Sequence, residues 1–324
     1  MLSLSCFQLM AAFCFLKMFR VLFHRDYQGF TGGHLKLADY VRHVDASSFC
    51  QAQIHVTPAS SRDHLWIDHP RLISSYDPLN ADLLFIAGLD WLALQDYNGI
   101  EAAKPVINLV QGLRHADPDH LLFSFLEKRA VRICVSDEVA AALSSTGKCN
   151  GPIHTITNCI DHALLPADKH YLASKVVILG VKQPELARQL EQSLGEHDLA
   201  PLCITTPLPR QTLLEISRDA HVIVTLPTAS EGFYLPALEA MAMRRAVVCT
   251  DCIGNRGFCR DDDTCLMPAN DLSSLTAAVL RLLRDEQLVS RLQDRGYAQS
   301  LQHRIEQERQ QFQALLADIV TSVT

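Results

Sequence analysis

The chain has 324 residues, enough for one large core or for two domains of roughly 150 residues each. With 48% hydrophobic and 20% charged residues it is an ordinary globular protein, which excludes a disordered chain and a body threaded through a bilayer. A net charge of −7 excludes a nucleic-acid partner gripped by a basic face. It leaves room for an anionic ligand, since a helix N-terminus and two or three cations suffice locally.

Residues 1–16, MLSLSCFQLMAAFCFL, carry no charge, and the cations Lys17 and Arg20 follow the apolar run instead of preceding it, unlike a secretory signal. The run is short for a bilayer span. Three readings stay open: a membrane-associating tail, an interfacial helix, or an upstream start with Met18 as the true beginning. The last is preferred, because Phe19 to His24 reads as a first buried strand. The eleven cysteines are odd in number and spread singly along predicted strands. That pattern reads as buried free thiols in a reducing cytoplasm, not as a disulfide framework. Peripheral association with the inner face of a membrane also stays open.

Strands and helices alternate almost throughout. Arg20–His24 leads through Asp26-Tyr-Gln-Gly-Phe-Thr-Gly-Gly-His34 into a helical pattern over His34–Val44. Ala52–Thr57, Asp82–Ala87, Val106–Val110 and Val131–Val135 are strand candidates, with helical stretches near Leu89–Asp96, Pro118–Lys128 and Asp137–Ser145. Ile153–Thr157 closes this half and Asn158-Cys-Ile-Asp161 reads as a linker. The second half opens with a strand at Lys175–Gly180, then a helix over Pro184–Leu194. Strands at Leu202–Thr206 and His221–Leu226 flank a helix near Arg210–Arg218. Beyond Ala246–Thr250 and Cys265–Met267, a helix over Asp271–Leu283 places Leu272, Leu275, Val279, Leu282 and Leu283 on one side. The rest, to about Val320, reads as highly charged helix.

Such alternation implies parallel sheets covered on both faces, and no repeat of solenoid period is present. Two runs with a break near 158–174 predict an α/β chain of two doubly wound, Rossmann-like domains facing a cleft. The boundaries are an apolar extension at 1–18, a first domain at 19–160, a second at 161–300, and a C-terminal helix at 301–324 that crosses back to the first domain. Ligands of open α/β sheets sit beyond the carboxyl ends of the strands, where both the Gly32-Gly33 turn and the loop at Glu231 fall.

The most informative stretch is Ser230 to Met243, SEGFYLPALEAMAM, between the apolar runs Val222–Leu226 and Ala246–Cys249. A strand feeds a loop, the loop opens a helix, and Pro236 suits the first helical position. The amides of Gly232, Phe233, Tyr234 and Leu235 would then project from a positive helix end that attracts phosphate, with Gly232 allowing close approach. Glu231 and Glu239 flank this cradle. Hydroxyls at both ends and a diphosphate in the middle describe a sugar nucleotide. Taken alone, the same residues also read as an acidic first turn favouring the helix dipole.

Glu231-Gly-Phe-Tyr-Leu-Pro-Ala-Leu-Glu239-Ala-Met-Ala, closed by Val247-Val248, resembles the Glu-x7-Glu signature of retaining glycosyltransferases of family 4 (glycosyl transferases group 1). The family's glycine after the helix is replaced near Arg244–Arg245. The resemblance implies the glycosyltransferase B-type fold and transfer of a sugar from a nucleotide-sugar donor to an acceptor hydroxyl with retention, in glycan or polysaccharide biosynthesis, without a cofactor or metal. It assigns Glu239 to the ribose hydroxyls and Glu231 to the sugar. It assigns the diphosphate to Lys182 and the amides of residues 232–235. Gly32-Gly33-His34-Leu35 resembles the pair that closes over the donor from the first domain, and His115 stands near a histidine that contacts the transferred sugar. Acceptors of glycan, lipid-linked and protein type all remain.

The sequence departs from the family in places. After Lys175–Gly180 only Lys182 stands where the family has an Arg and a Lys, with Arg188 a helix turn further on, so another cation is needed, with Arg256 or Arg25 as candidates. Gly112 occupies a position where a side chain is expected beside Gln111, Arg114 and His115. Cys159 replaces the glycine of an Asn-Gly-Val-Asp hinge, which would strain the backbone if φ were positive there. These departures keep a second reading alive, a non-catalytic sugar-nucleotide-binding module partnering an active transferase, and a third, an epimerase of the same architecture. Cys249, Cys252, Cys259 and Cys265 have the count but not the paired spacing of a zinc site, and read as structural thiols. Asp261-Asp262-Asp263 reads as a solvated acidic turn.

Overall fold

The computed structural model describes residues 17–166 and 175–322; the apolar stretch 1–16 and part of the predicted break at 158–174 lie outside the described residues. The chain forms two compact units. One runs to Ile156 and resumes at Glu308, and the other spans Thr157–Gln307.

The first unit holds a seven-stranded parallel sheet: β1 (Phe19–Arg25), β2 (Cys50–Val56), β3 (Leu72–Ile73), β4 (Leu83–Ala87), β5 (Val106–Val110), β6 (Val131–Cys134) and β7 (Ile153–Thr155), in the order β3-β2-β1-β4-β5-β6-β7. β4 (LLFIA) and β5 (VINLV) are buried at every position, as strands covered on both faces must be. Its helices are α1 (Gly32–Asp45), α2 (Ile100–Ala103) and α3 (Asp137–Ser145). The stretches predicted as helix near 89–96 and 118–128 are instead 3₁₀ turns, Gly88–Leu94 and Leu121–Glu127. Behind the second, the fully buried Arg132 donates to the carbonyls of Phe125, Leu126 and Lys128, which satisfies that turn without an α-helical ladder. β3 and α2 are too short to leave a periodic trace in the sequence.

The second unit holds a four-stranded parallel sheet of β8 (Val176–Leu179), β9 (Leu202–Ile204), β10 (Val222–Thr225) and β11 (Ala246–Cys249), ordered β11-β10-β8-β9. Around it lie α4 (Pro184–Gly195), α5 (Arg210–Asp219), α6 (Leu235–Ala242), α7 (Leu272–Arg284) and α8 (Glu286–Ser300). α7 buries Leu275, Val279 and Leu282 against the sheet with Leu272 and Leu283 half-buried beside them, the stripe its sequence predicts. The predicted strand at 265–267 is reduced to isolated bridges from Leu266 to Val248 and from Cys265 to Asp261. The charged helical stretch after Asp285 breaks between α8 and α9 (Ile305–Thr321). The break has a backbone cause: Ile160 N–H donates to the His303 carbonyl, and Ile305 N–H donates to the Ile160 carbonyl.

From Glu308 onward α9 belongs to the first unit. There Lys36, 1% exposed, places its Nζ 2.7 Å from Asp39 Oδ2 and 2.7 Å from Glu308 Oε2, and Glu308 Oε1 lies 3.1 Å from His43 Nε2. Phe312 packs edge-on against Tyr40. These contacts fix α9 to α1.

Two local departures resolve themselves. Arg244, in the place of a glycine after α6, adopts φ +56°, a left-handed conformation that costs about 1 kcal/mol or more for an L side chain. Its guanidinium lies 3.9 Å over the Tyr297 ring and 2.8 Å from Asp294, contacts worth about 0.5–1 kcal/mol each, so the strain is largely offset. Cys159 is not among the described non-glycine residues at positive φ, which are Asp198, Arg244 and Asp262; the strain conditional on that geometry does not arise.

Candidate functional site

In the second unit the chain order of the sheet reverses at β8, which lies between β10 and β9. Loops leaving neighbouring strands at such a point diverge and open a crevice at their carboxyl ends. The loop after β8 carries Lys182. Gly180 starts it, because a Cβ there would stand 2.1 Å from that of Ala187 on α4; a glycine is needed for so tight a strand-to-helix turn. The loop after β10 carries Glu231. Lys182 Nζ lies 3.2 Å from Glu231 Oε1, and the Thr228 hydroxyl donates to the same oxygen at 3.1 Å. The lysine side chain is 55% exposed, so this pair is worth at most about 1 kcal/mol and is readily exchanged for a ligand.

The helix that follows begins at Leu235, with Tyr234 as its N-cap and Pro236 second in the helix instead of first. The amides of Gly232, Phe233 and Leu235 have no acceptor among the described residues, as an anion cradle requires. Tyr234 corrects the expectation: its N–H donates to the Gly254 carbonyl at 3.0 Å, so it holds the loop and is not open to a phosphate. Its ring is buried, and burial pushes its phenol pKa well above the usual value. The Phe233 ring packs on Phe258 and His303.

Gly254, absent from the sequence reading, sets this loop's position. A Cβ on it would stand 2.5 Å from Phe233 N, 2.6 Å from Phe233 Cα and 2.7 Å from the Glu231 carbonyl oxygen, all backbone atoms that cannot swing away. Asn255 next to it is fully buried and donates to the Thr250 carbonyl at 2.8 Å. We expect Gly254→Ala to displace the Glu231–Phe233 segment and to destabilise the protein by about 1–3 kcal/mol. Urea unfolding followed by circular dichroism checks it; an unchanged midpoint would show that the two segments separate at no cost.

Glu239, in α6, is 5% exposed. Arg210, the first residue of α5, donates from Nη1 to Glu239 Oε1 at 2.6 Å. Sequence reasoning missed Arg210 as a site residue because the two are brought together across α5 and α6, with no local signal. The cations expected there are engaged elsewhere. Arg256 pairs with Asp251, Arg188 is 3.9 Å from Glu185, and Arg25, in the first unit, donates to Asp90 and to the Ala87 carbonyl.

In the first unit, Gly32 and Gly33 form the opening turn of α1, with the Thr31 hydroxyl accepting from His34 N–H. Gln111 Nε2 donates to the Gly33 carbonyl at 3.3 Å. His115 is 5% exposed with Nδ1 3.2 Å from the Gly112 carbonyl, while its Nε2 is buried with no hydrogen-bond partner. Burial pushes its pKa down to about 4, which keeps the imidazole neutral at physiological pH. At the point where the strand order of this sheet reverses, between β1 and β4, Asp90 is buried beside Arg25; burial raises its pKa to about 6 against the opposing pull of the guanidinium.

Among the described residues, no three His, Cys, Asp or Glu side chains converge as metal ligands would. Cys249, Cys252, Cys259 and Cys265 are buried free thiols. The acidic turn is gripped by arginines: Asp262 pairs with Arg281 and Arg291, and Asp263 with Arg260 and Arg295. No helix among the described residues is long and apolar enough to cross a membrane.

The chain has the glycosyltransferase B-type fold. Its structure is similar to that of Anabaena Alr3699/HepE in complex with UDP-glucose, with a TM-score of 0.74 and 15% identity over 92% of this chain and 99% of that one. It also resembles sucrose-phosphate synthase (tll1590) from Thermosynechococcus elongatus, with a TM-score of 0.69 and 15% identity over 94% of this chain and 100% of that one. A putative UDP-N-acetylglucosamine 2-epimerase from Listeria monocytogenes gives a TM-score of 0.60 and 14% identity, over 92% and 96%. Residues 153–285, which contain the Glu231–Glu239 motif, match the family model of glycosyl transferases group 1. No curated protein sequence matches the chain.

Proposed function

We propose that the protein is a glycosyltransferase of the group 1 type that moves a sugar from a nucleotide donor to an acceptor hydroxyl, with retention of configuration and without a metal ion. What supports this reading is that Glu231 and Glu239 bracket, along the chain, loop amides with no acceptor among the described residues, on the strand-to-helix connection beside the point where the sheet order of the second unit reverses. Glu239 accepts from the ribose hydroxyls and Glu231 from hydroxyls of the sugar. Lys182 and the amides of Gly232, Phe233 and Leu235 receive the diphosphate. Gly32, Gly33 and His115 are assigned to the donor and transferred sugar from the first unit. The bond from the anomeric carbon to the β-phosphate oxygen breaks with its electron pair, the acceptor oxygen bonds that carbon, and the acceptor proton leaves with the nucleoside diphosphate. A cytoplasmic role in glycan or polysaccharide assembly, including work at the inner face of a membrane, fits this chemistry. Glycan, lipid-linked or protein acceptors are the classes to test.

Alr3699/HepE holds UDP-glucose, which makes UDP-sugars the first donors to try. The test titrates the full chain with UDP-, GDP-, ADP- and dTDP-sugars and follows both binding and nucleotide release. Charged hydrogen bonds are worth about 1.5–3 kcal/mol, so Glu239→Ala is expected to weaken donor binding by one to two orders of magnitude. Equal affinity of wild type and variant removes Glu239 from the site. Binding without release of nucleotide, across a panel of acceptors, favours the non-catalytic module. An isomerised donor in the absence of acceptor favours an epimerase.

A further inference from the structure

We infer that Arg210 is a positioning residue for nucleotide binding, acting through Glu239; this rests on the assignment of Glu239 to the donor. Among the described residues, each carboxylate of the motif pairs with a cation that follows a neighbouring strand. Lys182, after β8, serves Glu231, and Arg210, after β9, serves Glu239. The two pairs differ in kind. Lys182 is mostly exposed, whereas Arg210 is 24% and Glu239 only 7% exposed at the side chain. A carboxylate so deeply buried tends to take up a proton unless a fixed positive charge compensates it. Protonated, it would have one oxygen turned into a donor and would lose the charge that makes its bonds to hydroxyls strong. A guanidinium at 2.6 Å on Oε1 places a positive charge beside the group and limits its rotation.

The local structure holds Arg210 in place for this. It opens α5 directly after Pro207-Leu208-Pro209, and the fixed φ of the second proline sets the direction in which the helix begins. Its backbone is thus carried by the end of β9, while Glu239 is carried by the helix after β10. The pair therefore links two elements on opposite sides of β8, and a shift of either would alter the carboxylate's aim.

The test measures affinity for UDP, GDP, ADP and dTDP by calorimetry on the full chain, for wild type, Arg210→Ala, Arg210→Lys, Glu239→Ala and the Arg210→Ala/Glu239→Ala double variant. Thermal unfolding controls for folding. For the nucleotide that wild type binds best, Arg210→Ala is expected to lose at least tenfold in affinity and Arg210→Lys to recover part of that loss. The double variant is expected to bind no more weakly than Glu239→Ala alone, because Arg210 acts through the carboxylate. Wild-type affinity in Arg210→Ala, or a double variant showing the product of the two single losses, overturns the inference while leaving the donor site standing. Wild type binding none of the four nucleotides defeats both readings at once. If Arg210→Ala does not fold, Arg210→Lys decides: a bidentate-capable fork replaced by a point charge must weaken binding measurably, and unchanged affinity rejects the role.

Discussion

Lys36→Met is expected to destabilise the first unit by about 3–5 kcal/mol, the range for removing one partner from a buried ionic cluster. Lys36 and Glu308 are 1% and 0% exposed, and the ammonium is shared by Asp39 and Glu308 at 2.7 Å each. Burial alone is the largest influence on the Lys36 pKa and lowers it, yet the two carboxylates together outweigh it and leave the pKa raised. Methionine fills the space but leaves two buried carboxylates confronting each other. Glu308→Gln keeps shape and some hydrogen bonding, so it should cost less, about 1–3 kcal/mol. Both tryptophans of the chain, Trp66 and Trp91, lie in this unit, so tryptophan fluorescence during urea unfolding reports it directly. A Lys36→Met loss below about 1 kcal/mol would mean that the cluster relaxes or admits water, against the stated range.

Acid should weaken the same unit well before its ordinary carboxylates titrate. His24 and His115 are both buried, and burial is the largest cause of lowering each from 6.5 to about 4. His24 is further lowered by His55, whose Nδ1 is 3.0 Å from its own. Below the unfolded value of 6.5, the unfolded chain binds protons that the folded chain refuses. The stability these histidines contribute is therefore complete above about pH 6.5 and is lost as pH falls to about 4. At about 1.4 kcal/mol per unit each can supply at most about 3 kcal/mol. Asp90 acts in the opposite direction: its pKa is raised to about 6, so the folded state gains protons, and stability, over much of the same interval. The net effect is a loss, because His34 and His55 are lowered by burial as well. Urea midpoints read by fluorescence at pH 7, 6, 5 and 4.5 should fall steadily. A flat or rising series would show that these imidazoles are hydrated.

Much of the fold was legible because parallel strands bury both faces and so print continuous apolar runs. β5, β8, β10 and β11 all fall within their predicted stretches, as does α3, while α7 runs one residue past its predicted end. The loop and helix around Glu231 and Glu239 were legible for a related reason, since the spacing of two carboxylates about a helix start is local information. Elements held by distant partners were not. The turn at Leu121–Glu127 looks helical until Arg132 is placed behind it, and the helix after Asp285 looks unbroken until Ile160 takes its backbone bonds. Arg210 and Gly254 escaped for the same reason: neither stands at a telling distance along the chain from the residues it meets. Tyr234 was misread because helix geometry alone leaves its amide open, and only the approach of Gly254 closes it.

The clamp between α1 and α9 has a bearing on how the protein is made. Lys36 waits 272 positions for Glu308, so during synthesis the ammonium is already in the nascent chain while one of its counter-ions has yet to be translated. The intervening unit, Thr157–Gln307, is a single uninterrupted segment and is free to mature as soon as it clears the ribosome. The earlier unit is thus finished last, and a chain truncated before Glu308 leaves the Lys36 ammonium with Asp39 but without its second carboxylate.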